Sequence, residues 1–258
     1  MKPGFAQTSS VTRFLAAVSA LDERGSPEAG WMLVTGEAGL GKSAAVQWWA
    51  TQQDAVYIRG KAAVTPHWLL TELVTELRLA PARSNEAMFG QALAAIARDP
   101  RPIVIDEVEH TLRDAKVLES VRDLSDLVEV PVILVGMERV QQRIARHLQI
   151  SSRIAQVVEF LPATLDDVRT CCDTLAEVAV ADDLVAEMHR LTGGRLREII
   201  NALATVEREA RRNKLQTVTL DDLRGKTLAH DWQARKPKVA GAVTARHSGA
   251  AGSRRASP

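Results

Sequence analysis

Residues 36–43 read Gly36-Glu37-Ala38-Gly39-Leu40-Gly41-Lys42-Ser43. The run Trp31-Met32-Leu33-Val34 before them has the continuous apolar character of a short buried strand. After them, Ala45, Val46, Trp49 and Ala50 fall on one helical face. Strand, G-x-x-x-x-G-K-[ST] and helix is the context of a phosphate-binding loop. Glycines let the backbone turn its N–H groups inward around phosphate oxygens, and the helix start adds a positive dipole end. The Lys42 ammonium reaches β- and γ-phosphates, and the Ser43 hydroxyl is a Mg²⁺ ligand. A chance glycine-rich turn would not be flanked in this way.

A second stretch adds chemistry. Pro102-Ile103-Val104-Ile105-Asp106-Glu107 is an apolar strand ending in two carboxylates. Asp106 is placed to hold Mg²⁺, often through water. Glu107 is placed to orient and deprotonate a water attacking the γ-phosphate. The pair favours ATP hydrolysis over transfer to a small acceptor, with kinases still open.

Working outward, helical spacing covers Thr8 to Glu23, a stretch after Pro66, a stretch between Ser84 and Pro100, and about 113–128 with Val117, Leu118, Val121, Leu124 and Leu127 inward. Further strands are expected at Ala55–Ile58, Pro131–Gly136 and Gln156–Phe160, with a basic helix at about 138–148. Strands alternating with helices predict an α/β class, a doubly wound parallel sheet. After Pro162 the strand pattern stops. Thr164 to Asp167 has the form of a capping box, Asp182 is placed to cap a second helix, Gly193-Gly194 precedes a third at about 196–212, and Thr219 with Asp222 begins a short fourth. The expected organisation is an α/β nucleotide-binding domain over 1–162, a small helical domain over 163–225, and a tail over 226–258.

The chain has 258 residues and a net charge of +1. That balance hides an asymmetry: seven cations against Asp231 give the tail +6, which leaves −5 on the rest. Rich in Ala, Gly and Ser, the tail reads as disordered, either a nucleic-acid contact or a solubilising appendage. No apolar run approaches the ~20 residues that span a bilayer, and Met1-Lys2-Pro3-Gly4 lacks a signal-peptide core. A cytoplasmic protein with no membrane partner is expected. Adjacent Cys171 and Cys172 lack metal-site or C-x-x-C spacing and read as reduced structural thiols.

Residues 36–43 and 103–107 resemble the Walker A and Walker B motifs of the AAA+ ATPases. The resemblance implies a three-layer αβα P-loop sheet followed by a small helical lid. It also implies two arginines. Ser151-Ser152-Arg153 lies where the family carries an arginine finger acting on a neighbour's site, with Arg143 and Arg146 as competing candidates. Gly193-Gly194-Arg195-Leu196-Arg197 looks like the sensor-2 motif, with Arg197 at its arginine. The polar sensor-1 residue is missing: Gly136-Met137-Glu138 follows the fourth strand, and Glu138 is the only polar side chain there.

Within AAA+, residues 8–225 resemble the transposition ATPases of the phage Mu-type B, TniB and TnsC kind, through traits shared with the secretion ATPase ExeA and with origin-recognition ATPases. The resemblance implies an ATP- and Mg²⁺-dependent ATPase that forms a homo-oligomeric ring or filament on duplex DNA without sequence preference. It would capture target DNA for a transposase and activate it, in a bacterial or phage-infected cytoplasm. Replication-type initiators or helicase loaders, and ExeA-like secretion or signalling ATPases without DNA, are the alternatives. In the resembling proteins the region after the second strand tracks the DNA backbone. That makes Arg59, Lys61 and Thr65 candidate phosphate contacts, with Arg208, Arg211, Arg212 and Lys214, and the basic tail, as rivals.

Overall fold

The computed structural model describes residues 1–26, 28–231 and 236–241. Its first unit runs α1 (Ser9–Asp22), β1 (Trp31–Gly36), α2 (Lys42–Gln52), β2 (Val56–Arg59), α3 (Pro66–Glu76), α4 (Asn85–Arg98) and β3 (Ile103–Asp106). A 3₁₀ turn at Val108–Arg113 leads to α5 (Ala115–Val128), β4 (Val132–Val135), α6 (Val140–Ile144), α7 (Leu148–Ser151) and β5 (Ile154–Phe160). The five strands form one parallel sheet in the order β2-β3-β4-β1-β5.

Alternation along the strands divides the core. Trp31 and Leu33 of β1 face a layer with Leu69, Leu73, Met88, Ile96, Val117 and Val121 from α3, α4 and α5. Met32 and Val34 face the other way, onto Phe14 of α1 and Val46 and Trp49 of α2. With both sheet faces covered, the inner strands are apolar at nearly every position, which is why they read as continuous runs. Each fully buried large side chain here is worth about 1.5–3 kcal/mol over its exposed state. Trp31 also donates its indole N–H to Ser125 Oγ at 3.1 Å, so its one polar atom is satisfied inside the core.

The second unit packs α8 (Leu165–Leu175), β6 (Ala179–Val180), α9 (Asp182–Thr192), α10 (Leu196–Asn213) and β7 (Thr217–Val218) around a separate core of Val168, Leu184, Met188, Ile199, Leu203 and Val206. Both cysteines are buried in it and unpaired. Burial pushes their thiols up, to about 12 for Cys171 and about 11 for Cys172, as expected of inert structural thiols. The units meet at Asp167. Its carboxylate accepts from Thr164 N at 2.9 Å, which completes the capping box of α8. It also accepts from Ser9 N at 2.6 Å and Ser9 Oγ at 2.8 Å, at the first residue of α1. One buried side chain therefore serves the starts of two helices, one in each unit.

Several expectations change. The basic helix at about 138–148 is two short helices, α6 and α7, separated by residues 145–147. Leu127 points outward with 63% exposure rather than into the core. Asp182 is the first residue of α9, and no side chain caps that helix. Strands do not stop at Pro162: β6 and β7 pair in parallel. Asp222 accepts from Thr219 N at 2.8 Å, but the element it opens is a 3₁₀ turn, Asp221–Leu223.

The expected disordered tail begins instead with a hairpin, β8 (Thr227–Asp231) paired antiparallel with β9 (Lys236–Val239). Leu228, Ala229 and Ala240 are buried in the second core. Composition suggested disorder because the apolar residues here are few; packing against α9 and α10 supplies the rest of the apolar contact. The remaining tail, 242–258, lies outside the described residues. Among the described residues no helix is long and apolar enough to cross a membrane.

Candidate functional site

The loop between β1 and α2 wraps the end of the sheet. Gly36 has φ +143° and Gly41 φ +92°, backbone states that favour glycine. Space demands it too: a Cβ at Gly36 would sit 2.5 Å from Phe160 O, and one at Gly41 2.5 Å from Leu196 Cδ2. Gly41 begins α2 with no side-chain cap, so that helix start is built for an anion rather than for a polar neighbour. The Lys42 ammonium donates to the carbonyls of Gly36 at 2.7 Å and Glu37 at 2.6 Å. Burial lowers its pKa, against the opposing fields of Glu109 and Asp106.

Asp106 ends β3 buried, accepting from Tyr57 Oη at 2.7 Å and from Glu107 N at 2.8 Å. Burial first, then the bond to Asp106, raises the Tyr57 pKa, so Tyr57 is a fixed neutral donor. Glu107 adopts φ +52°, a left-handed state costly for this residue type, and projects beyond the strand. Its Oε1 takes Arg59 Nη2 at 2.5 Å. A cavity of about 490 Å³ collects Lys42, Ser43, Asp106, Glu107 and Arg197. A second, of about 790 Å³, shares Gly39, Met137, Arg197 and Asn201 with it and extends to Arg139, Glu138 and Thr227. The smaller holds the chemistry, because it contains both strand-end carboxylates.

The second unit closes on the loop directly. Arg197 N donates to Gly39 O at 3.0 Å, and Arg195 Nη2 to Glu37 Oε2 at 3.0 Å. The exposed Arg197 side chain lines both cavities. Met137 and Glu138 line the larger one, and only Met137 reaches the smaller.

Arg153 is elsewhere. Its carbonyl accepts from Trp31 N, at the start of β1, while the P-loop leaves from the end. At strand rise that separation is ~17 Å. Its guanidinium pairs with Asp126 at 2.8 Å. Arg143, the competing candidate, donates to Glu109 O at 3.1 Å, beside the smaller cavity, and Arg146 is exposed.

The three candidate DNA contacts all have partners within the chain. Arg59 holds Glu107. Lys61 lies 3.5 Å from Glu72 and 4.7 Å from the Trp68 ring centroid, and Thr65 Oγ1 caps α3 by accepting from Trp68 N at 3.2 Å. In the rival patch, Arg211 pairs with buried Glu207 at 3.4 Å, Arg208 donates to Thr205 at 3.0 Å, and Arg212 and Lys214 are exposed.

Sequence reasoning missed three participants. Tyr57 anchors Asp106 from the neighbouring strand, a pairing that only sheet order reveals. The Arg195–Glu37 pair spans the two units. Glu109 reaches the cavity because the chain after β3 turns as a 3₁₀ helix, and the only sequence signal was its spacing of three from Asp106.

Residues 26–144 match the family model of the AAA domain. Over these residues, from before β1 into α6, the chain is similar to an AAA domain. Its strand order and attached helical unit have the P-loop AAA+ fold of several solved structures. Cdc6p from Pyrobaculum aerophilum aligns with a TM-score of 0.64 at 16% identity, over 86% of this chain and 68% of that one. The Aeropyrum pernix ORC2 protein, solved in ADPNP-ADP complexes, aligns at 0.64 and 12%, over 86% and 67%. The RuvB Holliday junction branch migration motor of Thermotoga maritima aligns at 0.57 and 18%, over 82% and 65%. No curated protein matches the chain. With this match over 26–144, and with the P-loop lysine and the carboxylates of β3 at one cavity, the chain is an ATP hydrolase.

Proposed function

We propose that this ATP hydrolase oligomerises on duplex DNA in an ATP-dependent way and regulates DNA transposition, by capturing target DNA and activating a transposase. The observation that carries the oligomeric part is the position of Arg153. It lies at the far end of the sheet from its own P-loop, which supports a role in a neighbouring protomer's site rather than its own. The resemblance to Mu-type B, TniB and TnsC proteins supports the transposition reading. The DNA part is supported by structural neighbours described as DNA-bound or branch-migrating, among them the Aeropyrum pernix ORC1 protein in complex with DNA.

Within the site, Lys42 exchanges its two carbonyl partners for β- and γ-phosphate oxygens. The oxygen donors present suit Mg²⁺. Ser43 and Asp106 line one cavity, and among the described residues no cluster of three or more His, Cys, Asp or Glu competes as a metal cage. Mg²⁺ takes few protein ligands beside phosphates and waters, and when bound it supplies charge neutralisation there. Glu107 takes the proton of the attacking water. Arg197, on the helix hydrogen-bonded to the P-loop, contacts the γ-phosphate and ties nucleotide state to the angle between the units.

The fold similarity to Cdc6p and ORC2 favours a second reading, a replication-type initiator or helicase loader. One experiment separates the two. The protein is assembled on duplex DNA with a slowly hydrolysed ATP analogue, imaged by electron microscopy, and added to a transposase reaction. Filaments or rings that raise strand transfer support the transposition reading. Assembly without stimulation supports the replication reading, and ATP-independent or absent DNA binding overturns both.

A further inference from the structure

Glu109 lies on the 3₁₀ turn that follows β3, and its carbonyl accepts from Arg143 Nη1 at 3.1 Å, which pins the turn. Its side chain lines the smaller cavity with Lys42, Ser43, Asp106 and Glu107. The carboxylate oxygen Oε2 is buried, and among the described residues no group donates to it. That oxygen lies over the end of β4: an ideal Cβ on Gly136 would come within 3.0 Å of it. The next residue, Met137, offers only a thioether, a weak acceptor. Asp106 and Glu107 already receive Tyr57 and Arg59. Glu109 Oε2 is therefore a strong acceptor in this cavity that is buried and, among the described residues, without a protein donor.

An unpaired buried carboxylate oxygen lowers stability, so packing does not account for it. Groups of that kind are kept where function uses them. We propose that Glu109 holds the water that attacks the γ-phosphate. One O–H of the water donates to Glu109 Oε2, which aims the oxygen lone pair at phosphorus. The other proton passes to Glu107 as the water oxygen bonds to Pγ. The bond from Pγ to the bridging oxygen breaks, its electron pair leaves with ADP, and inorganic phosphate retains the hydrogen held by Glu109. Lys42, in the same cavity and in the field of Glu109, offsets the repulsion between this carboxylate and the phosphates. The inference rests on the reading of the chain as an ATP hydrolase.

The test compares binding of ADP alone with binding of ADP plus aluminium fluoride, which mimics the phosphoryl group in flight with its in-line water. In Glu109→Ala, ADP affinity stays within about twofold while aluminium fluoride complex affinity falls about 10- to 100-fold, the worth of one hydrogen bond to a charged group. Thermal stability does not fall. Glu109→Gln keeps an acceptor oxygen and recovers most of the affinity. Equal binding of the complex by Glu109→Ala and wild type overturns the proposal. So does an equal loss of ADP affinity, which marks a general nucleotide contact, and so does a Glu109→Gln variant no better than Glu109→Ala. Failure of the wild type to bind ADP overturns the ATP-hydrolase reading and this assignment with it.

Discussion

Arg59 Nη2 lies 2.5 Å from Glu107 Oε1, so the cation chosen from sequence as a DNA contact holds the carboxylate chosen as the catalytic base. Arg59 is exposed, and an exposed ion pair of this kind is weak and easily exchanged. While paired, that oxygen is not free to take a proton. Arg59→Ala is expected to raise basal ATP hydrolysis by up to about fivefold and to reduce any further stimulation by DNA. Steady-state phosphate release with and without duplex DNA measures both. Unchanged basal turnover with intact stimulation would show that the pair does not restrain Glu107.

Lys42→Ala removes the charge that faces the phosphates and is expected to abolish tight nucleotide binding in calorimetry. Glu107→Gln keeps the shape of the side chain and removes the base. It should bind ATP and assemble normally while turnover falls about 10²–10⁴-fold. Wild-type turnover in Glu107→Gln would move the base to another group.

Arg153→Ala is expected to lower hydrolysis without weakening ATP binding by isolated protomers. Mixed with Lys42→Ala, it creates some interfaces that pair an intact P-loop with an intact arginine. Partial recovery of activity in mixed oligomers is the expected result. No recovery in oligomers shown to be mixed would return Arg153 to its structural partner, Asp126.

Lys61 is held by Glu72 and the Trp68 face, so a phosphate contact requires exchange of an exposed ion pair. Lys61→Ala is expected to weaken binding similarly across unrelated DNA sequences and to flatten the slope of log affinity against log salt by about one. If the slope instead falls only on deletion of residues 242–258 or in an Arg212→Ala, Lys214→Ala variant, the contact belongs there.

Asp167 ties the two units together and predicts a pH dependence. Burial opposes its ionisation, but the hydrogen bonds from Ser9 and Thr164 outweigh burial and hold the carboxyl below its ordinary 3.8. A depressed folded pKa means the unfolded chain binds the proton more readily. The contribution is therefore complete above about pH 4 and lost as pH falls through the folded value. Asp167→Asn should cost about 1–3 kcal/mol at pH 7 in urea unfolding, with the gap to wild type narrowing toward pH 3. A gap independent of pH would assign the loss to packing.

Elements whose signal is local were legible in the chain alone. The glycine spacing of residues 36–43 depends on backbone sterics within a few residues, and the apolar runs of β1, β3 and β4 follow from burial on both faces. The helix starts at Thr65, Ser84 and Thr164 follow from side chains that cap their own backbone. Tertiary structure decided what depends on residues distant in the chain. Tyr57 meets Asp106 because β2 and β3 are neighbours, and Arg59 meets Glu107 for the same reason. Arg197 reaches Gly39 only when the second unit folds against the first. The hairpin after residue 226 has too few apolar residues to announce itself, since Leu228, Ala229 and Ala240 are buried only within a core built by helices distant in the chain. Glu109 stands between the two cases. Its spacing from Asp106 was visible, but its burial beside Gly136 depends on β4, about thirty residues later, forming the wall against which it packs.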